Sequence, residues 1–458
     1  MPRGMKAYLN RQLSSALFTP EAILAVVYPI IVDQSFIIGM AIFNTAMISS
    51  AGIAAVSAVN MVEALNLFFI SLVIALATGG TVLVAQAKGK RDQQLVHQAA
   101  ANTIVTVFLV ASFFTLGMLI FRQPILSGIF GQSSQAVMAN ARIYYIGSVL
   151  SYPALALVEA ACGVLRGVAD TKTSFFLSFF MNLAYVLLNI GLIHFLQFGI
   201  IGMSLALNLA RLGGALVALG YLLKRNQSLG ITKNRLLHAD WTMVKRVFVI
   251  GIPFAAEQLF FNGGKIITQI MIVGLGTFAL TANALANSLT LLLEIIPGSL
   301  ALALVPIVGQ SIGAHDVKSV RPFLRIFLWF ASGSTLLLGG VLIVTYPWLI
   351  QLFQVPTAVE QTVFGITVMM VVARTLFWPI GFLTPAALRA AGDATYTSLV
   401  SLTTMWGVRI VLGYILGIWY GYGLYGVWAA MGIEWGVRGL IFLRRFHSKR
   451  WLTKQLLP

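Results

Sequence analysis

Between residues 22 and 443 the chain is divided into twelve apolar runs, each about as long as a helix that crosses a lipid bilayer. A hydrocarbon core of about 30 Å takes ~20 apolar residues in helical form. The runs are 22–46, 53–79, 95–120, 138–162, 173–196, 199–223, 247–273, 277–304, 323–346, 358–382, 396–419 and 423–443. Backbone groups in lipid find no water to bond, so each run has to satisfy its own hydrogen bonds as a helix. A soluble fold is excluded by charge: 9% of the 458 residues are charged, against roughly 25% in an ordinary soluble domain. The first run follows a basic segment and is too long for a signal-peptide core, so it reads as a retained helix. The single cysteine, Cys162, permits no internal disulfide.

Lysine and arginine give the orientation. Of the 30 basic residues, 23 fall at the two termini or at the loops after even-numbered runs, Arg122 and Arg142 fall on the other side, and Arg211, Lys265, Arg374, Arg409 and Arg438 lie inside runs, with Arg142 and Arg325, each at the edge of a run, counted with the adjoining loops. The positive-inside rule then places both termini and the even loops in the cytoplasm. This distribution accounts for the net charge of +17 without a nucleic-acid partner, which would need a soluble basic domain.

The sequence is also written twice. At an offset of 224 residues, Tyr28-Pro29 meets Ile252-Pro253, Asp33-Gln34 meets Glu257-Gln258, Gly52 meets Gly276, and Gln86, Gly89 and Asp92 meet Gln310, Gly313 and Asp316. With one residue deleted, "LRGVAD" (165–170) meets "LRAAGD" (388–393). Six helices per copy is an even number, so the copies run parallel. The expected fold is an all-α polytopic membrane protein of twelve transmembrane helices. Its two six-helix repeats would be related by a pseudo-twofold axis along the membrane normal, around a central cleft, as in many secondary transporters. The expected divisions are a cytoplasmic N-terminus (1–21), an N-lobe (22–223), a linker (224–246), a C-lobe (247–446) and a cytoplasmic C-terminus (447–458). There is no Walker-type loop, since "NGGKIIT" (262–268) lacks the first glycine and the final hydroxyl residue. No H-E-x-x-H or C-x-x-C metal spacing occurs.

Inside the membrane the polar residues are the candidates for chemistry. A carboxylate at the bilayer centre costs about 2.5–3.5 kcal/mol on insertion scales, so it is retained when it is paired, faces water or binds something. Counted from Ala22, Asp33 lies roughly 16 Å into the bilayer. Its helical stripe runs through Met40 and Asn44. Glu257 occupies the matching depth in the second half, with Lys265 two turns on and Gln258 matching Gln34. Asn182 and Asn189 share a stripe of the fifth helix. The binding candidates are therefore Asp33, Gln34, Asn44, Asn182, Asn189, Glu257, Gln258 and Lys265. Glu434–Arg438 is an i,i+4 pair and reads as structural. Glu159 and Glu294 read as a solvated mouth or a loop pair. Pro29 and Pro253 remove a helical hydrogen bond one turn before each acid and are hinge candidates.

Four stretches carry a family resemblance: "ATGGTVLVAQAKGKRD" (77–92), "LRGVADTKT" (165–173), "LRAAGDAT" (388–395) and "YGLYGVWAAMGIEWGVRGLIFLRRF" (422–446). In this order they resemble the MATE (multidrug and toxic compound extrusion) transporters of the MOP superfamily. The resemblance implies a non-enzymatic antiporter in the plasma membrane of a prokaryote. It would export drug-like organic compounds, cationic or neutral, against inward H+ or Na+, as a monomer and without a cofactor. A sodium ion could sit near Asp33 or Glu257. The chain departs from the family pattern at "FNTAMIS" (43–49), where Asn44 replaces an aspartate, and at Asn182, which is followed four residues on by Val186. The coupling network known for those branches therefore does not transfer. An exporter of lipid-linked or polysaccharide material from the same superfamily is the alternative. That activity calls for arginine clusters to hold phosphate, and the membrane arginines are scattered along the sequence.

Overall fold

The computed structural model describes residues 17–49, 53–130, 134–224, 229–238, 240–351, 353 and 355–453; for 41–49, 53–54, 129–130, 233 and 453 it describes the backbone alone. The described chain is helical, in the order α1 (Pro20–Ser49), α2 (Ile53–Gly89), α3 (Gln93–Ile120), α4 (Arg122–Phe130), α5 (Gln135–Leu150), α6 (Tyr152–Gly167), α7 (Thr171–Asn189), α8 (Gly199–Lys224), α9 (Lys233–Leu237) and α10 (Trp241–Gly274). There follow α11 (Thr277–Leu291), α12 (Ile295–Gly313), α13 (Val317–Gln351), α14 (Thr357–Leu376), α15 (Trp378–Ala390), α16 (Ala394–Thr404), α17 (Val411–Tyr414) and α18 (Gly423–His447). Among the described residues, ten helical stretches are long and apolar enough to cross a membrane, and α5 with α6, bent by 43°, makes an eleventh. The 34-residue α10 is as long, but carries Lys245, Arg246, Glu257 and Lys265. It begins the second copy as α1 begins the first.

The duplication is written into the backbone. Arg91, Ala169 and Gln197 have φ of 59°, 67° and 53°, and His315, Gly392 and Gly421, at the matching positions, have 59°, 102° and 73°. Gly199 and Gly423 repeat at 52° and 56°. Left-handed residues punctuate helix ends because they turn the chain while satisfying the last carbonyls. The fifth run of each half also ends in π-helical turns, at Ile190–Phe195 and Ile415–Trp419. Caps are local: Asp92 and Asp170 accept hydrogen bonds from Leu95 N (3.0 Å) and Thr173 N (3.1 Å), satisfying donors that a helix start leaves open.

The described residues pack as two compact units, those within 28–255 and those within 1–27 together with 256–458. This division differs from the repeat boundaries, because it falls inside α1 and inside α10, next to Pro29 and Pro253. In unit 28–255, α2 is the central helix. Ala77, Val84, Ala85 and Ala87 on it are fully buried. Gly163 lies against Ala77 O, and Thr81 Oγ1 donates to Gly163 O at 2.9 Å. Small residues allow such close helix approach in a membrane, where hydrophobicity does not drive helices together. The segment between the repeats is docked on this unit: Leu229 and Ile231 are buried, and Asp240 N donates to Asn102 Oδ1 on α3 at 2.8 Å. In the other unit, α15 and α18 meet closely where Gly381 faces Trp435 O and Gly439 faces Ile380.

Candidate functional site

In unit 28–255, α1 packs on α7 through Phe36 and Phe179, whose ring centroids are 4.6 Å apart. This turns Asp33 inward. It is buried, and its Oδ1 has no hydrogen-bond partner. Ser178 on α7 and the Arg166 and Glu159 side chains of α6 are the polar groups that act on it. Asn182 donates to Ser178 O at 2.9 Å and to Ser178 Oγ at 3.4 Å, so it belongs to the same layer. Arg166 Nη2 is 4.0 Å from Glu159 Oε2. Two carboxyl groups thus share the Arg166 guanidinium, and Arg211 acts on Glu159 as well. Gln34 is half-buried beside Asp33. Asn189 is buried with its Oδ1 unpartnered. The side chain of Asn44 lies outside the described residues.

A second polar layer of this unit is joined by hydrogen bonds. Tyr144 donates to Glu63 Oε1 at 2.5 Å, Asn66 Nδ2 donates to the same oxygen at 2.9 Å, and Tyr152 donates to Asn66 Oδ1 at 2.6 Å. Arg211 Nη1 donates to Ser151 Oγ at 2.6 Å.

In the other unit the repeated acid is treated differently. Glu257 is buried, lies 3.4 Å from Arg389 Nη1 and accepts from Ser398 Oγ at 3.0 Å. Arg389 is the repeat counterpart of Arg166. Where the first half has Glu159, the second has Phe382, so that carboxylate is not repeated. Glu257 thus has an ion pair and a hydroxyl donor, whereas Asp33 keeps an unpartnered oxygen. Lys265 does not pair with Glu257; its Nζ lies 5.1 Å from the Phe261 ring centroid. Gln258 is half-buried beside Glu257. Pro29 and Pro253 both lie inside continuous helices.

The membrane arginines of the second half, scattered in the sequence, converge in space. A cavity of about 390 Å³ is lined by Lys265, Arg374, Arg409 and Glu294, with Phe261, Trp378, Phe382, Trp428 and Trp435 among the walls. Glu294 pairs with Arg374 at 2.6 Å; it is part of this wall and not a loop pair. Arg438 lies behind the wall, stacked 4.2 Å over Phe382 and 3.3 Å from Glu434. The i,i+4 pair is thus present, and Thr404 donates to Glu434 Oε1 at 3.2 Å. Neither Arg374, Glu159 nor Ser178 stood among the sequence candidates, because each acts on a partner from another helix.

A helical chain written twice through the membrane, with a carboxylate buried at the same place in each copy, defines a multi-pass transport protein. The MatE family model matches residues 29–191 and 253–415, one copy in each half. The chain belongs to the MatE family. The two matches are offset by the same 224 residues as the internal repeat. Among its relatives, the uncharacterized transporter YisQ of Bacillus subtilis is 25% identical over 96% of this chain and 98% of its own length. The probable multidrug resistance protein YoeA of the same organism is 24% identical over 88% of both chains. A crystal structure of MATE in the straight conformation superposes with a TM-score of 0.87 at 19% identity, covering 95% of this chain and 97% of that one, which establishes the fold.

Proposed function

We propose that this protein exports organic compounds by secondary antiport against H+ or Na+, with Asp33 as the coupling carboxylate. It would work as a monomer in the plasma membrane of a prokaryote, with both termini in the cytoplasm, as the basic-residue distribution supports. One observation carries the assignment: Asp33 is buried with an unpartnered oxygen, beside Glu159 and Arg166. A proton or sodium ion at Asp33 neutralises its charge. An isolated buried charge is costly, so occupancy and emptiness are two distinct electrostatic states, as coupling requires. Glu257, paired with Arg389 and Ser398, is already balanced and serves as the fixed counterpart. Pro29, one turn before Asp33, has no N–H to donate within α1 and gives it a bending point.

The test is Asp33→Asn in proteoliposomes under an imposed proton gradient and, separately, a sodium gradient. The variant should insert and fold like wild type and should lose gradient-driven accumulation of cargo under whichever gradient drives wild type. Accumulation by Asp33→Asn equal to wild type would remove Asp33 from coupling. The names of several relatives as multidrug resistance proteins support a drug-like cargo.

A further inference from the structure

The second-half cavity has a charge balance that the coupling reading does not use. Three of its lining residues are cations, Lys265, Arg374 and Arg409, and one is an acid, Glu294. Glu294 is taken up by Arg374, and Glu434 behind the wall by Arg438. Lys265 and Arg409 have no carboxylate within 4.0 Å among the described residues. Glu294 acts on both, and Glu434 on Arg409, from beyond that distance, and the groups in closest contact are soft or aromatic. Arg409 Nη2 lies 2.8 Å from Met431 Sδ and its Nη1 3.9 Å from Met405 Sδ. Both cations lie within 6 Å of one aromatic ring, Nζ of Lys265 at 5.1 Å and Cζ of Arg409 at 5.9 Å from the Phe261 centroid. Arg409 is only 8% exposed.

Unpaired cations in a membrane interior are costly and are retained at functional positions. The buried side-chain atoms without a hydrogen-bond partner among the lining residues are Arg374 Nε, Arg409 Nε and Trp435 Nε1. All three are donors, so what this wall lacks is an acceptor. The repeat sharpens the point. At the positions equivalent to Lys265 and Arg409, the first half has Ala41 and Tyr185. The charge thus belongs to this copy and is not needed by the shared scaffold.

We propose that this cavity binds an organic anion, a carboxylate- or phosphate-type group held between Lys265 and Arg409, with an aromatic or apolar body against Trp378, Trp428 and Trp435. A guanidinium edge binds such groups through paired N–H donors. A volume of about 390 Å³ lies within the range of small-molecule sites. The proposal rests on the transport reading for its biological meaning, but binding requires no gradient and no Asp33. The arginine cluster that lipid-linked cargo calls for is present here, so the anion's source is either a soluble compound or a lipid headgroup.

The experiment is calorimetric titration of full-length protein in phosphatidylcholine nanodiscs with 2-naphthoate, 2-naphthamide and 2-naphthylmethylammonium. These probes share a ring system and differ in charge. Wild type should bind the naphthoate about tenfold or more tightly than the other two, the worth of one charge-assisted contact. Lys265→Gln with Arg409→Gln should abolish that preference while leaving the melting profile and Asp33-dependent coupling assayable. Each single variant should lose part of it, which keeps the test open if the double variant fails to fold. Replacing a third of the lipid with phosphatidylglycerol separates the sources. Competition that disappears in the variants identifies a lipid headgroup, and unchanged naphthoate binding identifies a soluble anion; either result supports the site. Equal or tighter binding of the amide or the ammonium probe by wild type would overturn the proposal, as would an unchanged preference in properly folded variants. Loss of coupling in Asp33→Asn, or its retention, leaves these binding results untouched.

Discussion

Replacing Arg389 by methionine would leave Glu257 buried with the Ser398 hydroxyl as its remaining partner of those described. The charges are 3.4 Å apart, with the two side chains 12% and 9% exposed. At that distance, an effective dielectric near 20 gives an attraction of about 5 kcal/mol. The desolvation of both groups offsets much of this, and removing one partner of a buried pair costs about 3–5 kcal/mol. Glu257→Gln should cost a similar amount, because it strands the guanidinium. The double variant Glu257→Gln/Arg389→Met strands nothing and should be more stable than the sum of the singles implies, by about 2 kcal/mol or more. Arg389 has other contacts, and the double-mutant cycle subtracts them. The assay is reversible unfolding of the purified protein in mixed micelles with increasing SDS, run on all four proteins. Additive single effects, with a coupling below about 0.5 kcal/mol, would refute the assignment of Glu257 as a compensated structural acid.

Three further expectations follow from individual contacts. A side chain at Gly80 would run into Thr103, so Gly80→Val should lower the melting temperature sharply and Gly80→Val/Thr103→Ala should recover part of the loss. Asp92→Ala removes the cap on Leu95 N and should cost about 1 kcal/mol in thermal melting without changing cargo binding. On a Cys162→Ala background, an impermeant maleimide should modify Ser134→Cys on intact cells and Ser448→Cys only after permeabilisation; the reverse pattern would invert the orientation.

Much of the fold was legible because it is set by one-dimensional signals. Run length gave the spans, and identities such as Asp33-Gln34 with Glu257-Gln258 gave the repeat, which the family match reproduces at the same offset. The Glu434–Arg438 pair was legible because one helical turn fixes it. What the sequence hid is whatever joins different helices. Lys265 is eight residues from Glu257, which at helical pitch is ~80° around the axis and ~12 Å along it, so it faces elsewhere. The partner of Glu257 is Arg389, 132 positions away. Lys265 and Arg409 meet over Phe261 from two helices, and no linear pattern marks that meeting. Glu159 looked peripheral because its depth was visible and its nearness to Asp33, on another helix, was not.

The division of packing units inside α1 and α10 bears on the origin of the chain. The start of α1, through Val27, packs with the second half, where Phe18 meets Phe323 at 6.4 Å. The start of α10, through Ala255, packs with the first half, where Gly251 lies against Leu76. Each copy lends its opening segment to the other, which is the topology of a domain swap closed into one polypeptide. A free-standing six-helix copy would carry an unfilled slot and an unhoused arm of matching shape. Two such copies would satisfy each other. By the same logic, the two halves expressed as separate chains should be stable only when made together.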